Sequence, residues 1–116
     1  MENFPLEFKR GETFSFSLFY VNNDGTPFTE STGSVTCQFT IKESYSDVSA
    51  AVTLNKGSGI TYVGTASPGE FIVVIPSNAT STISWKKGVY DMWINSNLNG
   101  KDYVLDGTVT LLPPAG

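Results

Sequence analysis

The side chains that most often carry chemistry are scarce in these 116 residues. There is no histidine and a single cysteine, Cys37. A Ser–His or Cys–His couple therefore cannot be built, no imidazole is available to a metal, and one thiol cannot make a structural zinc site. Hydrolysis by a carboxylate pair needs only two acids at the right separation. Asp102 and Asp106 are the nearest candidates. Four residues apart on an alternating strand they share one face, a spacing that more often marks a solvated surface than a catalytic pair. Calcium could be offered loop oxygens by Asn22, Asn23 and Asp24, but this run lacks the spaced acids of a dedicated site and reads as a turn. No catalytic residue, cofactor-binding residue, metal ligand or cofactor is expected, and the chain is expected not to be an enzyme.

Aromatic residues offer one further chemistry. Trp85, Trp93, Tyr90 and Tyr103 stand near several asparagines, and aromatic faces combined with amide donors suit carbohydrate. Tyr90, in step with Met92 and Ile94, reads as a core residue, and so does Tyr103. Trp93 falls on the opposite face beside Asp91 and is the candidate for glycan stacking. A carbohydrate-binding receptor-recognition module for cell-surface glycans is thus the alternative function.

Composition narrows the remaining classes. Hydrophobic residues make up 40% and aromatic residues 13% of the chain, enough to fill the single core that a chain of this length can build. Seven Lys and Arg stand against eleven Asp and Glu, for a formal charge of -4, with basic pairs only at Lys9-Arg10 and Lys86-Lys87. Nucleic-acid binding has no electrostatic footing in that distribution. No stretch approaches the roughly 20 apolar residues of a membrane span, and the first ten residues lack the apolar region of a signal peptide. Synthesis in a cytoplasm is expected, with Cys37 a small buried hydrophobe rather than a nucleophile.

The elements follow from period-two alternation. Phe4, Leu6 and Phe8 form a strand that Pro5 confines to an edge. After the Lys9–Glu12 turn, Phe14, Phe16, Leu18 and Tyr20 alternate with polar residues, apart from Phe19. Val35, Cys37, Phe39 and Ile41 mark a further strand beyond a polar loop from Thr26 to Gly33. Short strands at 51–54 and 60–63 flank the turn from Asn55 to Gly59. Phe71, Val73 and Ile75 alternate in the next, Ser77 is a plausible N-cap for one helical turn, and two last strands meet at Asn99-Gly100.

Some seven to nine short strands with frequent turn signals predict an all-β domain over 1–116. The preferred architecture is an immunoglobulin-like antiparallel sandwich, and a small β-barrel is the alternative. Residues 1–8 read as a strand-like arm and 112–116 as a proline-rich tail. The expected core comprises Phe14, Phe16, Leu18, Val35, Cys37, Phe39, Ile41, Phe71, Val73, Ile75, Tyr90, Met92, Ile94, Leu105, Val109 and Leu111.

Several segments also carry a resemblance. Arg10-Gly11-Glu12-Thr13-Phe14, Gly59-Ile60-Thr61, Gly69-Glu70-Phe71-Ile72-Val73-Val74-Ile75-Pro76, the link from Thr80-Ser81-Thr82-Ile83 to Gly88-Val89-Tyr90-Asp91, and Leu105-Asp106-Gly107-Thr108-Val109 look like the small β-sandwich virion proteins of tailed bacteriophages and prophages. In their order they are similar to the N-terminal domain family of phage baseplate upper proteins. The loop from Pro27 to Gly33 departs from the shorter turn of that family. The resemblance implies a non-enzymatic virion protein that joins tail, baseplate, fibre or capsid components, with other virion proteins and copies of itself as partners and with neither nucleic acid nor membrane.

Surface pattern says where such partners would bind. Ile72 and Val74 occupy outward positions of their strand, Phe19 breaks the polar set of its own, and the three are expected to meet as an exposed patch. The chain ends are expected to dock on neighbours through Phe4, Leu6 and Phe8 and through Pro113 and Pro114.

Overall fold

The protein, seen in a computed structural model that describes residues 2–22, 24–97 and 99–113, is all-β. Among the described residues nine strands run in chain order: β1 (Glu2–Asn3), β2 (Leu6–Lys9), β3 (Phe14–Phe19), β4 (Thr36–Lys42), β5 (Val52–Lys56), β6 (Gly59–Tyr62), β7 (Glu70–Ile75), β8 (Lys87–Ser96) and β9 (Gly100–Leu112). The one α-helical turn among the described residues, α1 (Ser77–Thr80), sits where the Ser/Thr-rich link was expected to hold one, but Pro76 rather than Ser77 is its N-cap.

All the strands belong to one mixed sheet in the order β1-β9-β8-β4-β5-β6-β7-β3, with β2 following β1 along β9, and the sheet is nearly closed into a barrel. The barrel alternative, rather than two facing sheets, thus describes the architecture. The step that joins what would be two sheets lies at β5–β6. Sequence suggests a reversal at Asn55–Gly59, yet β6 continues parallel to β5, with Asn55 beside Gly59 and Lys56 beside Ile60. Gly57 and Gly59 take positive φ there, and the chain jogs sideways by one strand position instead of turning back. The ladder is carried round a corner without a break.

The N-terminal arm is the second departure from a purely antiparallel plan. β1 and β2 both pair parallel with β9, Glu2 beside Leu105 and Leu6 beside Val109. Together they are one edge strand interrupted at Phe4-Pro5. At the interruption the Phe4 carbonyl crosses Gly107, where a Cβ would lie 2.8 Å from that oxygen, and it accepts the Tyr90 hydroxyl. Only a residue without a side chain fits beneath such a crossing.

Inside, the alternating residues of β4, β7, β8 and β9 are buried as their pattern predicts: Phe39, Phe71, Val73, Ile75, Met92, Ile94 and Val109 are all inaccessible. Each end of the barrel is plugged. At one end the 77–85 segment packs Ile83 and Trp85 against the core, and the buried Thr80 accepts the Gly11 N–H at 2.9 Å. At the other end Phe28, which the sequence places in a polar loop, is fully buried and rings with Tyr20 at 4.9 Å and Tyr62 at 5.7 Å. The Tyr62 hydroxyl donates to the Glu30 carbonyl at 2.7 Å and holds that loop over the opening.

The expected core is corrected at β3. Phe14, Phe16 and Leu18 point inward but are only half-buried, because β3 ends the sheet and nothing among the described residues continues the ladder beyond it. Conversely Leu6 and Phe8, expected at an interface, are 3% exposed. Pairing with β9 turns both into this chain's own core. Truncating Phe39 to Ala should therefore cost about 3–5 kcal/mol, and Phe16→Ala distinctly less, about 1–2 kcal/mol, since part of its surface already meets water. Urea unfolding of the two variants measures this difference; equal costs would mean that β3 is sealed.

Candidate functional site

A cleft of about 580 Å³ opens where the barrel fails to close, between β3 and the first half of β9. Its walls are Phe16 to Val21 on one side and Asp102 to Leu105 on the other, with Phe4 at the rim. The gap exists because the N-terminal arm covers β9 only from Leu105 onward. Side chains close it in place of a ladder. Phe8 of β2 stacks on Phe14 of β3, centroids 4.7 Å apart. Towards the Phe28 end, the Tyr20 hydroxyl donates to Asp102 Oδ2 at 2.9 Å and Asn99 Nδ2 donates to Asn22 Oδ1 at 3.0 Å.

Asp102 reaches Tyr20 because β9 carries a bulge. Met92 pairs with Leu105 but Trp93 with Tyr103, leaving Val104 opposite no residue of β8. One extra residue reverses the facing of everything before it. Asp102 consequently lies opposite the buried Ile94 on the inner side, and Asp106 lies opposite Asp91 on the outer side. The two acids do not share a face, so they cannot act as a pair across one substrate. Tyr103 is turned outward by the same bulge, 38% exposed, which corrects its reading as core; Tyr90 is buried as expected. The interruption of alternation by Tyr103-Val104-Leu105 is the one trace of the bulge in the sequence.

The outer face of β4, β8 and β9 holds a second depression, about 380 Å³, lined by Gln38, Asp91, Trp93, Lys101 and Tyr103 among others. Trp93 is half-buried and faces outward as expected, but its ring is covered: Lys101 Nζ lies 4.7 Å from its centroid and 5.4 Å from that of Tyr103. A sugar stacking on Trp93 has first to displace this ammonium. Beside it, burial raises the Asp91 carboxyl above its ordinary pKa and the facing Asp106 adds to the rise, while Lys42 and Lys101 oppose it. Two carboxylates face two ammonium groups on this surface, and burial decides the direction of the Asp91 shift.

The oxygens weighed for calcium already accept hydrogen bonds, Asp24 Oδ1 within the turn and Asn22 Oδ1 from Asn99 across the seam. Asp24 Oδ1 accepts both the N–H and the hydroxyl of Thr26, at 3.0 and 2.6 Å, and Asn22 Nδ2 donates to the Pro27 carbonyl at 3.1 Å. Asn23 lies outside the described residues. Among the described residues no cluster of three His, Cys, Asp or Glu could hold a metal. Cys37 is buried, which pushes its thiol up to about 11 and keeps it protonated.

The expected patch is present in part. β3 pairs with β7, setting Ser17 beside Ile72, Ser15 beside Val74 and Phe19 beside Glu70. Phe19 is 65% and Val74 37% exposed, with Ile72 half-buried between them. Phe4 is 49% exposed and Pro113 is exposed, whereas Pro114 lies outside the described residues. Val21, 53% exposed, extends the apolar surface along the cleft and was not anticipated.

Comparison with protein-family models and with curated proteins returns no match.

The seam makes a pH prediction. Burial first, and then the hydrogen bond to Asp102 and its charge, push the Tyr20 phenol up to about 12. A folded-state value above the unfolded one, near 10, gives stability that is complete below pH 10 and is lost as the pH rises to 12. Tyr20→Phe should lower stability at neutral pH by about 1.5–3 kcal/mol, since it removes a hydrogen bond to a charged group. It should also flatten the alkaline limb of a stability–pH curve. An unchanged limb would show that folding does not raise the Tyr20 phenol.

Proposed function

We propose that this chain is a non-enzymatic structural or adaptor protein of a bacteriophage virion, joining tail, baseplate, fibre or capsid components through protein–protein contacts. The observation that carries the reading is the surface of β3. An edge strand with exposed Phe19 and Val21, bordering an apolar cleft, is a surface for another protein chain rather than for a small substrate. The resemblance of the Arg10–Phe14, Gly69–Pro76 and Leu105–Val109 segments to small virion proteins supplies the biological setting. In this reading the protein resides in the virion, and its partners are copies of itself and other virion proteins.

A second reading keeps some support. The depression holding Trp93, Tyr103, Asp91 and Gln38 has the aromatic and polar lining of a carbohydrate site, with Lys101 as the obstacle, held by cation–π contacts worth about 0.5–1 kcal/mol at an exposed position. On a glycan array, binding that strengthens in Lys101→Ala and vanishes in Trp93→Ala would establish it. Silence from the wild type and from Lys101→Ala alike would remove it.

The principal reading is tested by quantitative mass spectrometry of phage particles purified from the host that expresses the chain. A fixed copy number per particle is expected, low and symmetric for a tail or baseplate position, high for a capsid position. Absence of the chain from intact particles would contradict it.

A further inference from the structure

We propose that two copies of this chain join through β3, edge to edge and antiparallel about a two-fold axis near Phe19. The proposal deepens the assembly reading, on which it rests only in taking a protein chain as the occupant of the cleft.

The backbone of β3 defines which groups are free. The Tyr20 N–H donates to the Gly69 carbonyl at 2.8 Å, and Tyr20 stands opposite Gly69 when the β3–β7 register is continued by one residue. In an antiparallel pair alternate residues bond the same neighbour. Phe14, Phe16, Leu18 and Tyr20 thus spend their peptide groups on β7, and those of Ser15, Ser17 and Phe19 face the open side. Nothing on this edge discourages pairing. From Thr13 to Val21 there is no charged residue, no proline and no bulge, the devices by which natural edge strands avoid each other. The opposite edge of the sheet, by contrast, carries Pro5, Glu7 and Lys9 and is broken in the middle.

Area and charge favour a second copy. Phe4, Phe19 and Tyr103 expose about half their surface, and large aromatic side chains present about 150–250 Å² each. With Val21 they supply nearly half of the roughly 800 Å² that each partner contributes to a stable interface. A paired backbone and the serine rim must bring the rest, and a like strand does so with matching spacing. A two-fold pairing is also self-complementary and closes on itself, so the bare edge does not propagate into a filament. The chain is acidic overall, yet the carboxylate beside Phe19 on the outer face is Glu70, on β7. Across a β7-β3-β3-β7 sheet the two Glu70 side chains stand three ladder spacings apart, about 14 Å, beyond the roughly 8 Å screening length of physiological salt. Asp102, in the cleft, is bonded to Tyr20.

Sedimentation velocity of the full chain from micromolar to millimolar concentration tests the proposal, with circular dichroism confirming that each variant is folded. The wild type is expected to shift from monomer to dimer. Phe19→Lys, at an exposed position, should weaken association roughly tenfold or more. Ser17→Pro, which removes an N–H that faces the open side, should do the same, whereas Ser17→Ala, which keeps that N–H, should associate like the wild type. A wild type that stays monomeric throughout overturns the proposal, as does a dimer indifferent to both Phe19→Lys and Ser17→Pro. A dimer that responds as expected, from a chain missing from phage particles, sustains the proposal and removes the virion reading alone.

Discussion

A strand that ends a sheet keeps a row of peptide groups without ladder partners, and this molecule meets that constraint in opposite ways at its two edges. On β9 the N-terminal arm is laid down parallel, and its proline and charged residues make the outer edge a poor template. On β3 the row is left bare. The barrel therefore cannot be completed by backbone hydrogen bonds, and side chains must span the last gap: Phe8 on Phe14 at one end, Tyr20 to Asp102 and Asn99 to Asn22 at the other. The β9 bulge matters because it brings Asp102 to the inner side where Tyr20 can reach it.

Energetics follow from that seam. A side chain bonded to a carboxylate contributes about as much as one or two ladder bonds, but it does not exclude water along the whole strand, so Phe16 and Leu18 remain half-buried. β3 should then be the element most ready to open locally, since it has one ladder instead of two and less burial than β4 or β8. The same deficit is what a partner can make good. An incoming strand would satisfy Ser17 and Phe19 and cover their apolar neighbours. In the proposed dimer, stability withheld from the monomer becomes association energy.

The alternating residues of the central strands were legible in the sequence because period-two burial is local: Val35 to Ile41, Phe71 to Ile75 and Tyr90 to Ile94 lie inside as their pattern implies. So was the excess of apolar residues on the outer side of β3 and β7. What escaped reading depends on long-range placement. The arm reads as an edge strand, which it is, but nothing in Phe4, Leu6 and Phe8 says that this chain's own β9 lies beside them and buries Leu6 and Phe8. Phe28 looked like a loop residue because its burial requires three distant rings. The glycine jog at 57–59 reads as a turn, and that reading hides the parallel step that carries the ladder on as one sheet. The bulge left only the three apolar residues from Tyr103 to Leu105, too short a signal to reverse the facing of Asp102 and Tyr103.

The bare β3 edge is tested most directly by amide hydrogen exchange, resolved by residue, on dilute monomeric protein. The N–H groups of Phe16, Leu18 and Tyr20, which bond β7, should be protected, while those of Ser15, Ser17 and Phe19 exchange close to the rate of an open chain. Alternating protection along six consecutive residues is the signature of a strand with one neighbour. Equal protection of both sets in the monomer would show that the barrel is closed by a ladder, and would contradict the open seam on which the fold and its proposed partners depend.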